Sequence, residues 1–233
     1  MAINGSLTKR KYFNVILPLF IGSMLAYLDR LNISYAALTM NSDLGFSSQV
    51  FGMGAGILFF GYIAFEVPGT VFAEKRSPSK WIVRIMITWG MASALMAFIH
   101  TQTQFYIVRF FVGAAEASFY PVCYSSIIPR WFNHKERPKA LSIMLTSMLV
   151  SSIVGSPLAG VMLDITVLGL KGWQMLFLIE GIIAFIFGII LIFWLKDSPK
   201  DVNWLTPEEK KAITEEYEQE IAAKNSVKKY TLW

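Results

Sequence analysis

Apolar residues gather into six long runs separated by short polar connections, over residues 12–37, 49–72, 81–99, 104–128, 139–163 and 172–195. Each is close to the roughly 20 residues that a helix needs to cross a bilayer. Backbone polar groups in hydrocarbon must bond within their own segment, so these runs predict helices. The alternating pattern of a membrane barrel is absent. The predicted fold is all-α, a bundle of six transmembrane helices over residues 12–195. Residues 1–11 form an N-terminal segment and residues 196–233 a linker.

The first run follows Lys9, Arg10 and Lys11, as a secretory leader would. It is long, however, and its charge-free stretch from Tyr12 to Leu28 is followed by Asp29 and Arg30 rather than by a small-residue cleavage site. It therefore predicts an uncleaved first span. The linker reads differently. In "LTPEEKKAITEEYEQEIAAKN", Thr206 and Glu209 have capping-box spacing and Pro207 suits the first helical position. Ile213, Tyr217 and Ile221 recur every four residues and give a narrow apolar stripe. A short amphipathic helix lying against the bundle is expected, in a linker that ends at "VKKYTLW" and reads as truncated.

Composition agrees with lipid as the main solvent. The 233 residues are 55% hydrophobic and 16% charged, against roughly a quarter charged in soluble domains. The net charge of +5 is unevenly spread. Lys9, Arg10 and Lys11 precede the first run. Lys75, Arg76, Lys80 and Arg84 surround the second connection. Arg130, Lys135, Arg137 and Lys139 surround the fourth, and Lys196 and Lys200 follow the sixth run. The first and third connections hold no lysine or arginine, and the fifth only Lys171. Positive connections stay in the cytoplasm, so both termini are expected there, in a multi-pass inner (plasma) membrane protein. This asymmetry and an anionic lipid surface account for the charge without nucleic acid. The single Cys123 allows no disulfide within the chain. Only His100 and His134 occur, both in connections, with no metal-ligand cluster, nucleophile–base set or phosphate loop. No cofactor and no enzymatic activity are expected.

The informative residues are charges inside the apolar runs, where each costs about 2.5–3.5 kcal/mol on insertion scales. Asp29 and Arg30 lie in the first run. At 1.5 Å per residue Asp29 falls about 25 Å along it, in the outer half of the membrane. A pair snorkelling to the outer interface is one reading. Arg109 and Glu116, in "IVRFFVGAAEASFYP", are two turns apart on one face of the fourth run. Gly113, Ala114, Ala115, Ala117 and Ser118 around them allow close helix contact. Opposite charges thus stand at matching depths on two helices. Either they form a structural ion-pair network or they handle an anion and a proton. An arginine grips a carboxylate bidentately, and a carboxylate beside it can load and unload a proton. Other polar positions are weaker: Tyr62 and Glu66 in the second run, Glu180 in the sixth, and His100 near a surface loop. "GSPLAG" at 155–160 reads as close packing with a bend.

Several stretches together resemble one family: "YLDRLNIS", "IVRFFVGAAEASFYP", "RWFNHKERPKA", "GSPLAG", "LKGWQMLFLIEG" and "WLKDSPKDVNWLTPEEKK". In this order they resemble the major facilitator superfamily, and within it the anion:cation symporters, including bacterial permeases for 4-hydroxyphenylacetate, tartrate and sugar acids. The resemblance implies one six-helix half, a 3+3 inverted repeat, of a twelve-helix transporter. It implies proton-coupled symport of a small organic anion, with a second half or self-association completing the site. It marks Asp29 and Glu116 as proton-coupling residues, and Arg30, Arg109, Tyr27 and Tyr62 as substrate-binding residues. The alternative is a truncated, transport-inactive membrane fragment that only binds or assembles. The loop "GTVFAEKRSPSKW" departs from the family pattern, with Glu74 near the usual Asp and Pro78 where Gly is common. Ser118 and Val122 also stand where Gly is frequent.

Overall fold

The structure is a computed structural model that describes residues 5–167 and 169–227; the expected end at "VKKYTLW" falls mostly outside that range. Helix α1 (Gly5–Lys11) passes through a π-helical turn at Tyr12–Ile16 into α2 (Leu17–Leu44). The next helices are α3 (Ser48–Lys75), α4 (Pro78–Leu95) and α5 (Gln102–Glu116). Short helices α6 (Phe119–Val122) and α7 (Ile128–Trp131) flank a π-helical turn at Cys123–Ile127. Then come α8 (Arg137–Leu163), α9 (Gly172–Trp194) and α10 (Pro207–Val227).

Local chemistry sets the ends. Gly45, at φ 64°, closes α2 in the left-handed conformation that glycine adopts most cheaply. The Ser47 and Ser77 hydroxyls accept from Val50 and Lys80 backbone N–H groups at the starts of α3 and α4. Thr101 and Gln104 form a capping box at α5. Thr206 and Glu209 form the expected one at α10, with Glu209 Oε2 accepting from Thr206 N at 2.9 Å. There, hydrogen bonds from its own backbone N–H and the Thr206 hydroxyl hold the Glu208 carboxyl below the usual range.

Among the described residues, five helical runs are long and apolar enough to cross a membrane: Gly5–Leu44, Ser48–Lys75, Pro78–Phe98, Arg137–Leu163 and Gly172–Trp194. The fourth predicted run is helical too, but it is interrupted directly after Glu116. Ala117 takes φ −50° and ψ 145°, and Ser118 takes φ 70°. Pro121 explains the break, because its ring excludes the carbonyl four residues back, that of Ala117, and offers it no N–H. The Ser118 hydroxyl donates to that carbonyl instead, at 2.5 Å.

Numbering the spans one to six, the most extensive packing joins one to five (α2·α8), two to four (α3·α5) and three to six (α4·α9). Exchanging one with four, two with five and three with six maps this pattern onto itself. The next pairs, three–four and one–six, also exchange. Such a contact map is what two three-helix repeats related by a two-fold produce. Glycine permits the closest approaches. A Cβ on Gly113 would stand 2.0 Å from the Leu58 carbonyl oxygen, and one on Gly61 2.2 Å from that of Phe110. Gly90 and Gly181 face each other between α4 and α9 in the same way.

All the lysine- and arginine-rich connections meet at one end of the bundle. Lys11 Nζ pairs with Glu136 at 2.6 Å, and Arg10 with Glu209 at 2.6 Å. Asp197, just past α9, accepts from the Ser77 hydroxyl and from Ser79 N at 2.7 Å, and faces Arg130 at 4.0 Å. Helix α10 lies against this end through Arg137–Glu220 at 2.5 Å, and just before it Trp204 stacks on Trp131, ring centroids 5.5 Å apart. Ile213 and Tyr217 of the predicted stripe line the groove there with Trp131 and Phe132, while Ile221 stays exposed.

Candidate functional site

The charged residues singled out in the sequence converge between α2 and α5. Arg30 reaches across to Glu116, donating from Nε at 2.9 Å and pairing through Nη2 at 2.7 Å, both to Oε1. The carboxylate side chain is wholly buried, while the guanidinium side chain keeps 28% exposure. The pair is therefore open from the arginine side only. Glu116 Oε2 has no hydrogen-bond partner. The Arg30 guanidinium lies over two rings, Tyr62 of α3 at 5.1 Å and Tyr120 of α6 at 5.5 Å. Cation–π contact with both rings helps hold it in place.

The break after Glu116 contributes to this geometry. Tyr120 is four residues beyond Glu116, across the turn at Ala117–Ser118, and both side chains meet one guanidinium. The Tyr120 hydroxyl in turn accepts from Ser23 Oγ at 3.3 Å, and Ser147 Oγ donates to Ser23 Oγ at 2.7 Å. Ser151 Oγ donates to the Met24 carbonyl at 2.9 Å. These buried hydroxyls tie α2, α6 and α8 together beneath the ion pair.

Asp29, the neighbour of Arg30, points to the other side of α2. It is buried and accepts from the Ser93 hydroxyl of α4, while its Oδ2 has no partner. One turn on, Asn32 donates to Glu180 of α9, which is also buried. Arg109 is buried, with Nε 3.4 Å from the Gly54 carbonyl. It makes no ion pair among the described residues. The sequence placed Arg109 and Glu116 on one face. The structure separates their contacts: Glu116 takes Arg30, and Arg109 turns towards α3. Tyr27 is half-buried and makes none of the described ring contacts to Arg30.

Tyr120, Ser93, Ser23 and Asn32 belong to this constellation but were not selected from the sequence. Helical spacing from the charges, Glu116 to Tyr120 and Asp29 to Asn32, is the signal that would have found two of them. The serines carry no such signal. Asp29, Arg30, Arg109 and Glu116 sum to zero charge when all are ionised. Adding an anion without a cation would leave a net charge in low dielectric, which is expensive. Among the described residues no group of three or more His, Cys, Asp or Glu is placed to hold a metal ion.

Comparison with known proteins agrees with this architecture. Residues 19–232 match the profile of the Major Facilitator Superfamily. Two proteins of Agrobacterium vitis named for tartrate transport are 42% identical over 92% of this chain and 46% identical over 85% of it. The Escherichia coli (strain K12) inner membrane transport protein RhmT is 35% identical over 80%. These alignments cover 48%, 46% and 44% of the relatives, so the chain spans about half their length. Among solved structures, an inward-open form of the xylose transporter XylE from E. coli superposes with a TM-score of 0.70 at 18% identity, over 94% of this chain and 57% of that one. A bacterial homologue of the human lysosomal transporter Spinster gives 0.70 at 20% identity, over 78% and 44%. At these identities the likeness is one of fold.

Proposed function

The chain belongs to the major facilitator superfamily, and from that premise we propose that it forms the N-terminal half of a proton-coupled symporter for a small organic anion. The observation carrying this reading is the Arg30–Glu116 pair: a buried carboxylate with one oxygen unbonded, on a guanidinium still reachable from outside the bundle. A carboxylate substrate needs the same guanidinium edge that Glu116 occupies. Protonation of Glu116 weakens its hold on Arg30 and supplies the positive charge that offsets the arriving anion. Substrate and proton then enter together, and deprotonation expels both. Asp29 serves as the second protonation site, and Arg109 is a buried positive charge two turns from Glu116 on α5. Tyr27 and Tyr62 border the anion. The tartrate-related names make a hydroxylated dicarboxylate or sugar acid the first substrate class to try.

The second six-helix half completes the cavity, and the lysine-rich end faces the cytoplasm. The test is reconstitution of the chain in vesicles, alone and joined to the second half of a tartrate-transporter relative. Labelled tartrate should accumulate only with the second half present and only under an inward proton gradient. Accumulation indifferent to the gradient would overturn the coupling. No accumulation of any organic acid would leave the reading of a membrane protein that binds or assembles without transport.

A further inference from the structure

A second cluster stands apart from the ion pairs, at the basic end where α3 leads into α4. Phe72 and Trp81 pack with ring centroids 4.8 Å apart. Arg76 lies over Phe72 at 4.5 Å and Arg84 over Trp81 at 4.1 Å. Two guanidiniums thus rest on the rings of one aromatic pair. The indole is fixed as well, because its Nε1 donates to Ser118 Oγ at 2.9 Å.

The contrast with the other arginines at this end is informative. Arg10, Arg130 and Arg137 each face a carboxylate, of Glu209, Asp197 and Glu220. Arg76 and Arg84 have no ion pair among the described residues, and Arg84 Nε is a buried donor without an acceptor. Arg10 and Arg130 also leave Nε unbonded, but their charges are met. A buried donor left empty is costly, so an acceptor is expected there. Arg84 leans back over Trp81, one turn closer to the helix start, as a side chain snorkelling to the headgroup level does. Phe72 is 42% exposed, so the ring on that side presents an apolar face beside the charge. Lys75 and Lys80 add positive charge nearby, against Glu74 and against Asp197, whose carboxylate is taken by Ser77, Ser79 and Arg130.

We propose that Arg76 and Arg84, held over the rings of the Phe72–Trp81 pair, bind the phosphate of an anionic phospholipid. The guanidiniums supply charge-assisted donors to the phosphate oxygens. The exposed ring and the apolar flank of α3 receive the acyl chain. This site is separate from the Arg30–Glu116 pair and does not depend on what the protein transports.

The experiment is native mass spectrometry of the purified chain in mild detergent, titrated with phosphatidylglycerol or with phosphatidylcholine of the same acyl chains. The wild type should hold phosphatidylglycerol about thirtyfold more tightly, the combined effect expected of two arginines at an anionic surface. Arg76→Gln/Arg84→Gln should lose that preference, while Lys210→Gln/Lys211→Gln, with equal loss of charge on α10, should keep it. Arg76→Lys/Arg84→Lys retains the charge but not the planar stacking, and should lose most of the preference. This pair also serves if the glutamine pair does not fold. Equal retention of the two lipids by the wild type, or wild-type preference in the lysine pair, overturns the proposal. So does displacement of the lipid by inorganic phosphate at matched concentration, which would identify a free-anion site.

Discussion

Glu116 sits on Arg30, 86 residues earlier in the chain, through two contacts of 2.7 and 2.9 Å to a single carboxylate oxygen. Removing one partner leaves the other charge buried and unmet, whereas removing both leaves only a polar gap. Breaking a buried pair from one side costs roughly 3–5 kcal/mol, and replacing both with apolar groups is often near neutral. Arg30→Met alone should therefore lower the thermal midpoint of the purified chain sharply. Arg30→Met/Glu116→Leu should recover most of the loss. A double variant as unstable as the two single changes added together would show that the ion pair is not what couples α2 to α5.

The turn at Ser118 gives a second, independent expectation. Ser118 is the non-glycine residue with positive φ among the described residues, it is fully buried, and Trp81 Nε1 donates to its hydroxyl. A β-branched residue there would meet the left-handed conformation at a cost of about 1–2 kcal/mol and would lose the hydroxyl's two hydrogen bonds. Ser118→Val should yield little folded chain in detergent. Ser118→Gly should fold, since glycine enters that region freely. Size-exclusion profiles of the two variants decide it, and similar behaviour would remove the backbone from the explanation.

How far the sequence went follows from which forces leave a periodic trace. The six spans were legible because lipid demands long apolar runs, and the capping box at Thr206 because its spacing is fixed. Asp29, Arg30, Arg109 and Glu116 stood out because charge inside such a run is rare. Their pairing did not. Seven-residue spacing placed Arg109 with Glu116, but partners across helices depend on rotation about each axis, and that is set by contacts such as Gly61 with Phe110 and Gly113 with Leu58. The break after Glu116 was hidden as well. "GAAEASFYP" reads as a continuous helix unless Pro121 is counted back four residues to the carbonyl it excludes. Tyr120 lies one turn beyond Glu116, but an aromatic in an apolar run carries no mark of the cation it will meet.

The grouping of basic connections at one end sets a prediction about topology. Arg10, Lys11, Arg130, Arg137 and Asp197 meet there, while the opposite end carries the Lys171–Asp43 pair. Reporter fusions after Lys200 and within residues 131–136 should be cytoplasmic, and fusions within 41–48 and 101–103 external. An external signal after Lys200 contradicts the six-span arrangement.

The last prediction separates proton handling from anion binding, in the chain joined to a second half. Glu116→Gln keeps the shape of the side chain and removes its negative charge, so Arg30 is permanently released towards the substrate. Binding and exchange of labelled organic acid across the membrane should persist, because exchange needs only an occupied carrier. Accumulation driven by a proton gradient should fall to the level of equilibration, because the group that loads and unloads the proton is gone. Arg109→Lys behaves differently. Arg109 is buried with its Nε on the Gly54 carbonyl, and an ammonium cannot place a donor at that point along the side chain. Its substitution should reduce both exchange and accumulation, since a buried charge loses its hold on α3. Measured together in one vesicle preparation, the two assays distinguish the roles: accumulation lost alone for Glu116→Gln, and both lost for Arg109→Lys. Unaltered proton-driven accumulation in both variants would reduce the cluster to an ion-pair scaffold.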